Sequence, residues 1–261
     1  MPDHYYLYFK CINLVSVVRL NDVPLIADAD AEGIVITEPI NYWVTHRSNN
    51  VQIELDWPES QEFESGQSKM EMMVFRADPG SEMPKPGDII LNHEWPGEGS
   101  TDEAGMYPYS YSEQFSIIDP PDTKLWQEAE PIDSLTQNDK ETILRKIERL
   151  RSALLNREKE KAFSILSYRY ADEALAEGKK LDQIRSAVME LYDWMFNQGD
   201  LSADPLTIEN SRFNIVGNRK LVYVDRGNLD ISLVLTQEAE GVCFGIPIYA
   251  AKIKGKWLIV R

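Results

Sequence analysis

The stretch Asp119–Leu155, DPPDTKLWQEAEPIDSLTQNDKETILRKIERLRSALL, separates two kinds of patterning and decides how the chain divides. Its first part carries Pro120, Pro121, Pro131 and a run of carboxylates, and reads as a linker over 119–134. Leu125 and Trp126 are expected to dock on one of the flanking modules. Ser134 and Gln137 then have the spacing of a capping box. Ile143, Leu144, Ile147, Leu150, Leu154 and Leu155 recur at helical spacing. Phe163, Leu166, Tyr170, Ala174 and Leu175 continue the period until Gly178 stops it. A further helix spans Leu181–Phe196, with Ile184, Val188, Leu191, Trp194 and Met195 on its apolar side.

Upstream of this stretch the period is two. Val51, Ile53, Leu55 and Trp57 alternate with Gln52, Glu54 and Asp56, the pattern of a strand with one wet face. Tyr5–Ile12, Ser16–Leu20, Val23–Ile26, Gly33–Thr37, Lys69–Arg76, Asp88–Trp95 and Tyr107–Ile118 also read as strands, with Asn21-Asp22 as a turn. Short strands at nearly regular intervals predict an antiparallel sandwich over 1–118. Two loops are richer than connection requires: Asp78–Gly87, with three prolines, and Pro96–Gly105, with Glu98, Asp102 and Glu103. Downstream, after Pro205, Arg212–Val216 and Leu221–Val224 flank Gly217-Asn218 as a hairpin. Leu229–Leu235, Val242–Ile253 and Lys256–Val260 follow, the last two joined at Lys254-Gly255. The fold class expected is α+β: the N-terminal sandwich, then helices packed on a C-terminal antiparallel meander over 135–261.

Charge divides at the same place. Residues 1–135 carry 25 Asp and Glu against 7 Lys and Arg, whereas residues 136–261 carry 18 against 20. A field of that sign opposes nucleic-acid phosphate and anionic lipid, and favours a basic protein partner. The competing reading is an acidic surface that only keeps the protein soluble. The chain is 43 % hydrophobic with six Trp, which is enough to fill two modest cores. Residues Met1–Lys10 hold Asp3, Tyr5, Tyr6 and Tyr8 where a secretory leader would be basic and then aliphatic. The longest uncharged run, Gly241–Ala251, has eleven residues, too few for a membrane span. Cys11 and Cys243 make no disulfide framework, so two reduced thiols in a cytoplasmic protein are expected.

Helices followed by a meander that closes on Lys254–Val260 give residues 136–261 an element order that resembles the cystatin-like cone of the nuclear transport factor superfamily. The resemblance implies a pocket between sheet and helices, used in that family for dehydration, isomerisation, small-molecule binding or oligomerisation. Trp194, Tyr223, Asp225 and Tyr249 are the residues best suited to line such a pocket. Asp225 beside tyrosine hydroxyls would be the general base. The simpler reading of Asp225-Arg226-Gly227-Asn228 is a turn.

Other constellations are weak. Asp28, Asp30, Glu32 and Gly33 match the start of a calcium loop, but its twelfth position is Pro39 and its flanks read as strands. His4, His46 and His93 lack metal spacing, and no phosphate-cradling glycine loop occurs, so no metal or cofactor is expected. Tyr107, Tyr109, Tyr111 and Phe115 make one strand face aromatic, with Pro108 marking an edge strand. That face is either packed inward or exposed beside Glu94, Glu98, Asp102 and Glu103 as a contact surface. The function expected is a non-enzymatic protein-binding module that engages a basic partner, as a bacterial immunity-type inhibitor or a secretion-system adaptor does. The C-terminal half would support it or form a homo-oligomer. The alternatives are a small-molecule binder or lyase/isomerase in the cone-like pocket, and glycan binding by the sandwich.

Overall fold

A computed structural model describes residues 3–28, 31, 33–45, 48–58, 66–77, 88–101, 104–117, 119–227, 233–237 and 242–261. The chain forms two compact units, Met1–Asp122 and Thr123–Arg261. The architecture is α+β, and every strand pairing among the described residues is antiparallel. No helix among the described residues is long and apolar enough to cross a membrane.

The first unit is built from β1 (His4–Ile12), β2 (Val15–Leu20), β3 (Val23–Asp28), β4 (Ile34–Pro39), β5 (Asn49–Asp56), β6 (Lys69–Ala77), β7 (Asp88–Trp95) and β8 (Tyr109–Phe115). They form two four-stranded sheets, ordered β4-β1-β6-β7 and β3-β2-β5-β8. Alternation decides which face is buried. Tyr5, Leu7, Phe9 and Cys11 on β1 and Val51, Ile53 and Leu55 on β5 are shut from solvent, while their neighbours in sequence stay partly or fully wet. Each such aliphatic side chain contributes about 1.5–3 kcal/mol on burial. The Asn21-Asp22 turn has φ of 53° and 67°, the left-handed pair that a two-residue hairpin between β2 and β3 requires. Asn21 also ties the loop before β5 in place: its amide donates to Asn49 Oδ1 at 2.8 Å and to the Trp43 carbonyl at 3.0 Å.

The second unit holds α1 (Leu125–Glu128), α2 (Gln137–Leu155), α3 (Lys159–Ile165), α4 (Ser167–Ala176) and α5 (Leu181–Asn197), then β9 (Arg212–Val216), β10 (Leu221–Asp225), β11 (Leu233–Gln237), β12 (Val242–Ile246), β13 (Ile248–Ile253) and β14 (Lys256–Ile259). The sheet β14-β13-β10-β9 receives the helices on one face, with β11-β12 as a separate hairpin. Ile143, Ile147 and Leu154 of α2 pack with Val222, Val224, Ala250 and Ile259 in one core.

Four expectations need correction. Residues 123–133 are packed elements of the second unit rather than a linker, while Leu125 and Trp126 are buried in it, as expected. The Glu130 amide donates to Lys252 O and the Ile132 amide to Arg219 O, each at 2.8 Å. Asp172 Oδ1 also accepts from the amides of Lys124, at 2.6 Å, and Leu125, at 3.2 Å. These bonds satisfy the backbone of a segment whose prolines and acids suggest a linker.

The helix cap is Thr136 with Asp139, two residues beyond Ser134; Asp139 has a second task, since its Oδ1 accepts from Trp257 Nε1 at 2.8 Å. The long helical period is cut into α2, α3 and α4, with Arg157 at φ 58° in the first break. Val242–Ile253 is two strands in different sheets, because Pro247 has no amide for a ladder.

Candidate binding surface

Strands β7 and β8 are edge strands, one on each sheet of the sandwich, joined by the acidic loop that starts at Pro96. On β7, Leu91 and Trp95 are buried and His93 half-buried, with Asn92 and Glu94 exposed on the other face. On β8, Tyr109 pairs with Leu55 and Tyr111 with Ile53, so both rings point the way those buried side chains point. The tyrosine stripe is therefore turned toward the interior, with Tyr107, Tyr109 and Tyr111 all half-buried at its open edge. The exposed form of this stripe is not what the fold makes. The rim consists of the ring edges and the carboxylates beside them.

The rings form a continuous row. Trp57 meets Tyr107 at 5.9 Å between centroids, Tyr107 meets Trp95 at 5.0 Å, and Trp95 meets Tyr109 at 5.3 Å. His93 stacks flat on Tyr111 at 3.6 Å and 6°, and its Nε2 lies 2.8 Å from the Tyr109 hydroxyl. The Tyr111 hydroxyl donates to Glu113. Glu94 and Glu113 are exposed and close enough for their charge to act on His93, and Glu98 is exposed in the loop after β7, whereas Asp102 and Glu103 lie outside the described residues.

The electrostatics favour neutral rings. Burial pulls the His93 imidazole below its ordinary range, against the opposing pull of Glu113 and Glu94. Burial also pushes the Tyr109 and Tyr111 phenols up, and for Tyr111 the Glu113 carboxylate adds to it. At neutral pH the row is uncharged, and negative charge lies at its rim. The carboxylates of that rim attract a guanidinium or ammonium, and the neutral ring edges offer it apolar packing area. The sequence reading named the tyrosines and Glu94 but gave His93 no role. The missed signal is its place two residues before Trp95, on the same strand face.

The proposed pocket residues of the second unit come together only in part. Tyr223 and Tyr249 are neighbours across β10 and β13, with ring centroids 4.7 Å apart. Alternation puts them on the sheet face opposite Val222, Val224 and Ala250, which join the helical core. Trp194 sits on α5, 53 % exposed, edge-on to Phe244 at 5.4 Å. Asp225 is buried, and its carboxylate accepts from the Gly227 amide at 2.6 Å and from the Asn214 side chain. Those bonds hold a turn, and they leave the carboxylate bound to β9 and its own loop.

The calcium-like segment runs from the end of β3 into β4; Asp30 and Glu32 lie outside the described residues, as do His46 and the loop 78–87. Comparison of the chain with protein-family models, curated proteins and solved structures finds no match.

Proposed function

We propose that this chain is a non-enzymatic protein-binding module whose first unit engages a basic protein partner along the β7–β8 edge. The observation that carries the reading is the distribution of charge over the folded units. Residues 1–122 hold 22 Asp and Glu against 6 Lys and Arg, while residues 123–261 hold 21 of each. The whole net charge of −16 thus belongs to the sandwich. A neutral second unit argues against a general requirement for acidity throughout the chain. The aromatic row beside Glu94, Glu98 and Glu113 supplies the local chemistry: ring area for packing and carboxylates for steering. Inhibition of a basic toxin surface and service as a secretion adaptor are roles such a module fits.

The test is quantitative affinity capture with the wild type and a Glu94→Gln/Glu98→Gln/Glu113→Gln variant as baits. A basic protein retained by the wild type and lost from the variant is expected, with cross-links that map to β7 and β8. Equal capture by both baits, or cross-links confined to residues 123–261, would overturn the proposal.

A further inference from the structure

The second unit contains a cleft of about 420 Å³ between α2, the α3–α4 junction and β14. Its polar lining is Lys146 and Arg149 from α2, Ser164 and Ser167 from either side of the junction, and Tyr168. We propose that this cleft binds a small phosphomonoester, with Arg149 and Lys146 holding the phosphate oxygens and Ser164 and Ser167 donating to them. The proposal stands apart from the protein-binding reading, on other residues of the other unit.

The argument starts from unmatched charge. Helix α2 carries five cations, and three have partners. Lys140 lies over the Phe213 ring at 5.5 Å. Arg145 donates to Thr142 at 2.9 Å, and Arg151 forks onto Glu148 at 2.8 and 2.9 Å. Among the described residues, no carboxylate pairs with Lys146 or Arg149. Their helical neighbours three and four residues away are Ile143, Thr142, Leu150, Arg145, Ser152 and Ala153, none of them acidic. Burial, and then the nearby Arg149 charge, pulls the Lys146 ammonium below the usual lysine range. Two like charges kept together at a cleft wall, one partly desolvated, oppose folding unless an anion joins them.

The geometry then selects the anion. An arginine fork and a lysine point charge fit the several oxygens of a phosphate, and two serine hydroxyls extend the donor set. Ile165 and Leu258 give the same cleft an apolar wall, which suits the carbon portion of an ester rather than a bare ion. The Tyr168 hydroxyl is turned away to Glu128 at 3.1 Å, so this residue offers its ring rather than a donor. The volume lies in the range of small-ligand sites.

The experiment measures binding of inorganic phosphate, AMP and glucose 6-phosphate to the full chain by calorimetry and thermal shift, with adenosine, glucose and citrate as controls. A phosphomonoester should bind more tightly than inorganic phosphate and raise Tm, and the controls should not. Lys146→Gln/Arg149→Gln should weaken binding by roughly 100-fold or more. Arg149→Lys should cost about tenfold, because the charge stays and the fork is lost. Arg145→Gln should bind as the wild type does. The double variant without ligand should melt at or above the wild-type temperature, since it removes repulsion, so lost binding cannot be ascribed to misfolding. No response to any phosphate compound at millimolar concentration, an equal response to citrate, or unchanged affinity in the double variant would overturn the proposal.

Discussion

Replacing Asp172 probes how the segment before α2 is held. Asp172 on α4 is 2 % exposed, and Arg261 is 4 % exposed. Arg261 Nη2 donates to Asp172 Oδ2 at 2.5 Å, while Asp172 Oδ1 takes the amides of Lys124 and Leu125. One carboxylate therefore neutralises a buried guanidinium and ends two backbone donors. Asp172→Ala removes the carboxylate from all three, and the expected loss is about 3–5 kcal/mol, most of it the penalty of a buried guanidinium that has lost this counter-charge. For a unit of this size the second-unit Tm should fall by roughly 10–20 °C. Removing both charges is a different perturbation: Asp172→Leu/Arg261→Met should recover most of the loss, because the desolvation cost disappears with the ions. Calorimetry reads the stability, and hydrogen exchange reads the place. The amides of Lys124 and Leu125 should lose protection in Asp172→Ala, and those of β1 should not change. A loss below about 1 kcal/mol with both amides still protected would refute the reasoning.

Three further outcomes follow from single residues. Gly217 has φ 61°, and a Cβ there would lie 3.0 Å from Leu221 and 3.2 Å from Trp126, so Gly217→Ala should cost about 1–3 kcal/mol in denaturant titration. The Thr136 hydroxyl, and then the Trp257 indole, hold the Asp139 carboxyl below its usual range, so its stabilisation is complete above the unfolded value near ~3.9 and fades as pH falls through the folded one. Asp139→Ala should cost about 1–2 kcal/mol at neutral pH and progressively less in acid; a constant difference across that titration would contradict the assignment. Burial pushes the Cys11 thiol up to about 12, so iodoacetamide at mildly alkaline pH should label it only once denaturant is added, as peptide mass spectrometry would register.

Local signals in the sequence proved readable where one residue carries the reason. Asn21-Asp22 reads as a turn because both residues tolerate positive φ, and the strand alternation around it follows from one dry face. The charge boundary is legible because it needs only counting. What sequence could not convey were relations between distant residues. The 123–133 segment reads as a linker by composition, yet Asp172, Lys252 and Arg219 supply its partners from 47 to 122 positions away. The tyrosine stripe reads the same whether it faces in or out, and its pairing to Ile53 and Leu55 decides the matter. Tyr223 and Tyr249 stack on one face of the sheet while Trp194 stands apart on α5 against Phe244, a separation that only the sheet's sidedness reveals. The cleft was legible in part: Lys146 and Arg149 stand three apart with no acid three or four residues from either, a local oddity whose meaning depends on Ser164 and Ser167 lining the same cleft.

The most direct test of the acidic edge as the working surface is the association rate of a captured basic partner, measured by surface plasmon resonance across ionic strength. The Debye length shrinks from about 30 Å at 0.01 M to about 8 Å at 0.15 M, so a steered on-rate must fall across that range. Glu94→Gln/Glu98→Gln/Glu113→Gln should lower the on-rate at low salt and flatten its salt dependence, while Tyr111→Ala should act on dissociation. An on-rate and salt slope identical in wild type and triple variant would contradict the account and reduce the charge of the first unit to solubility.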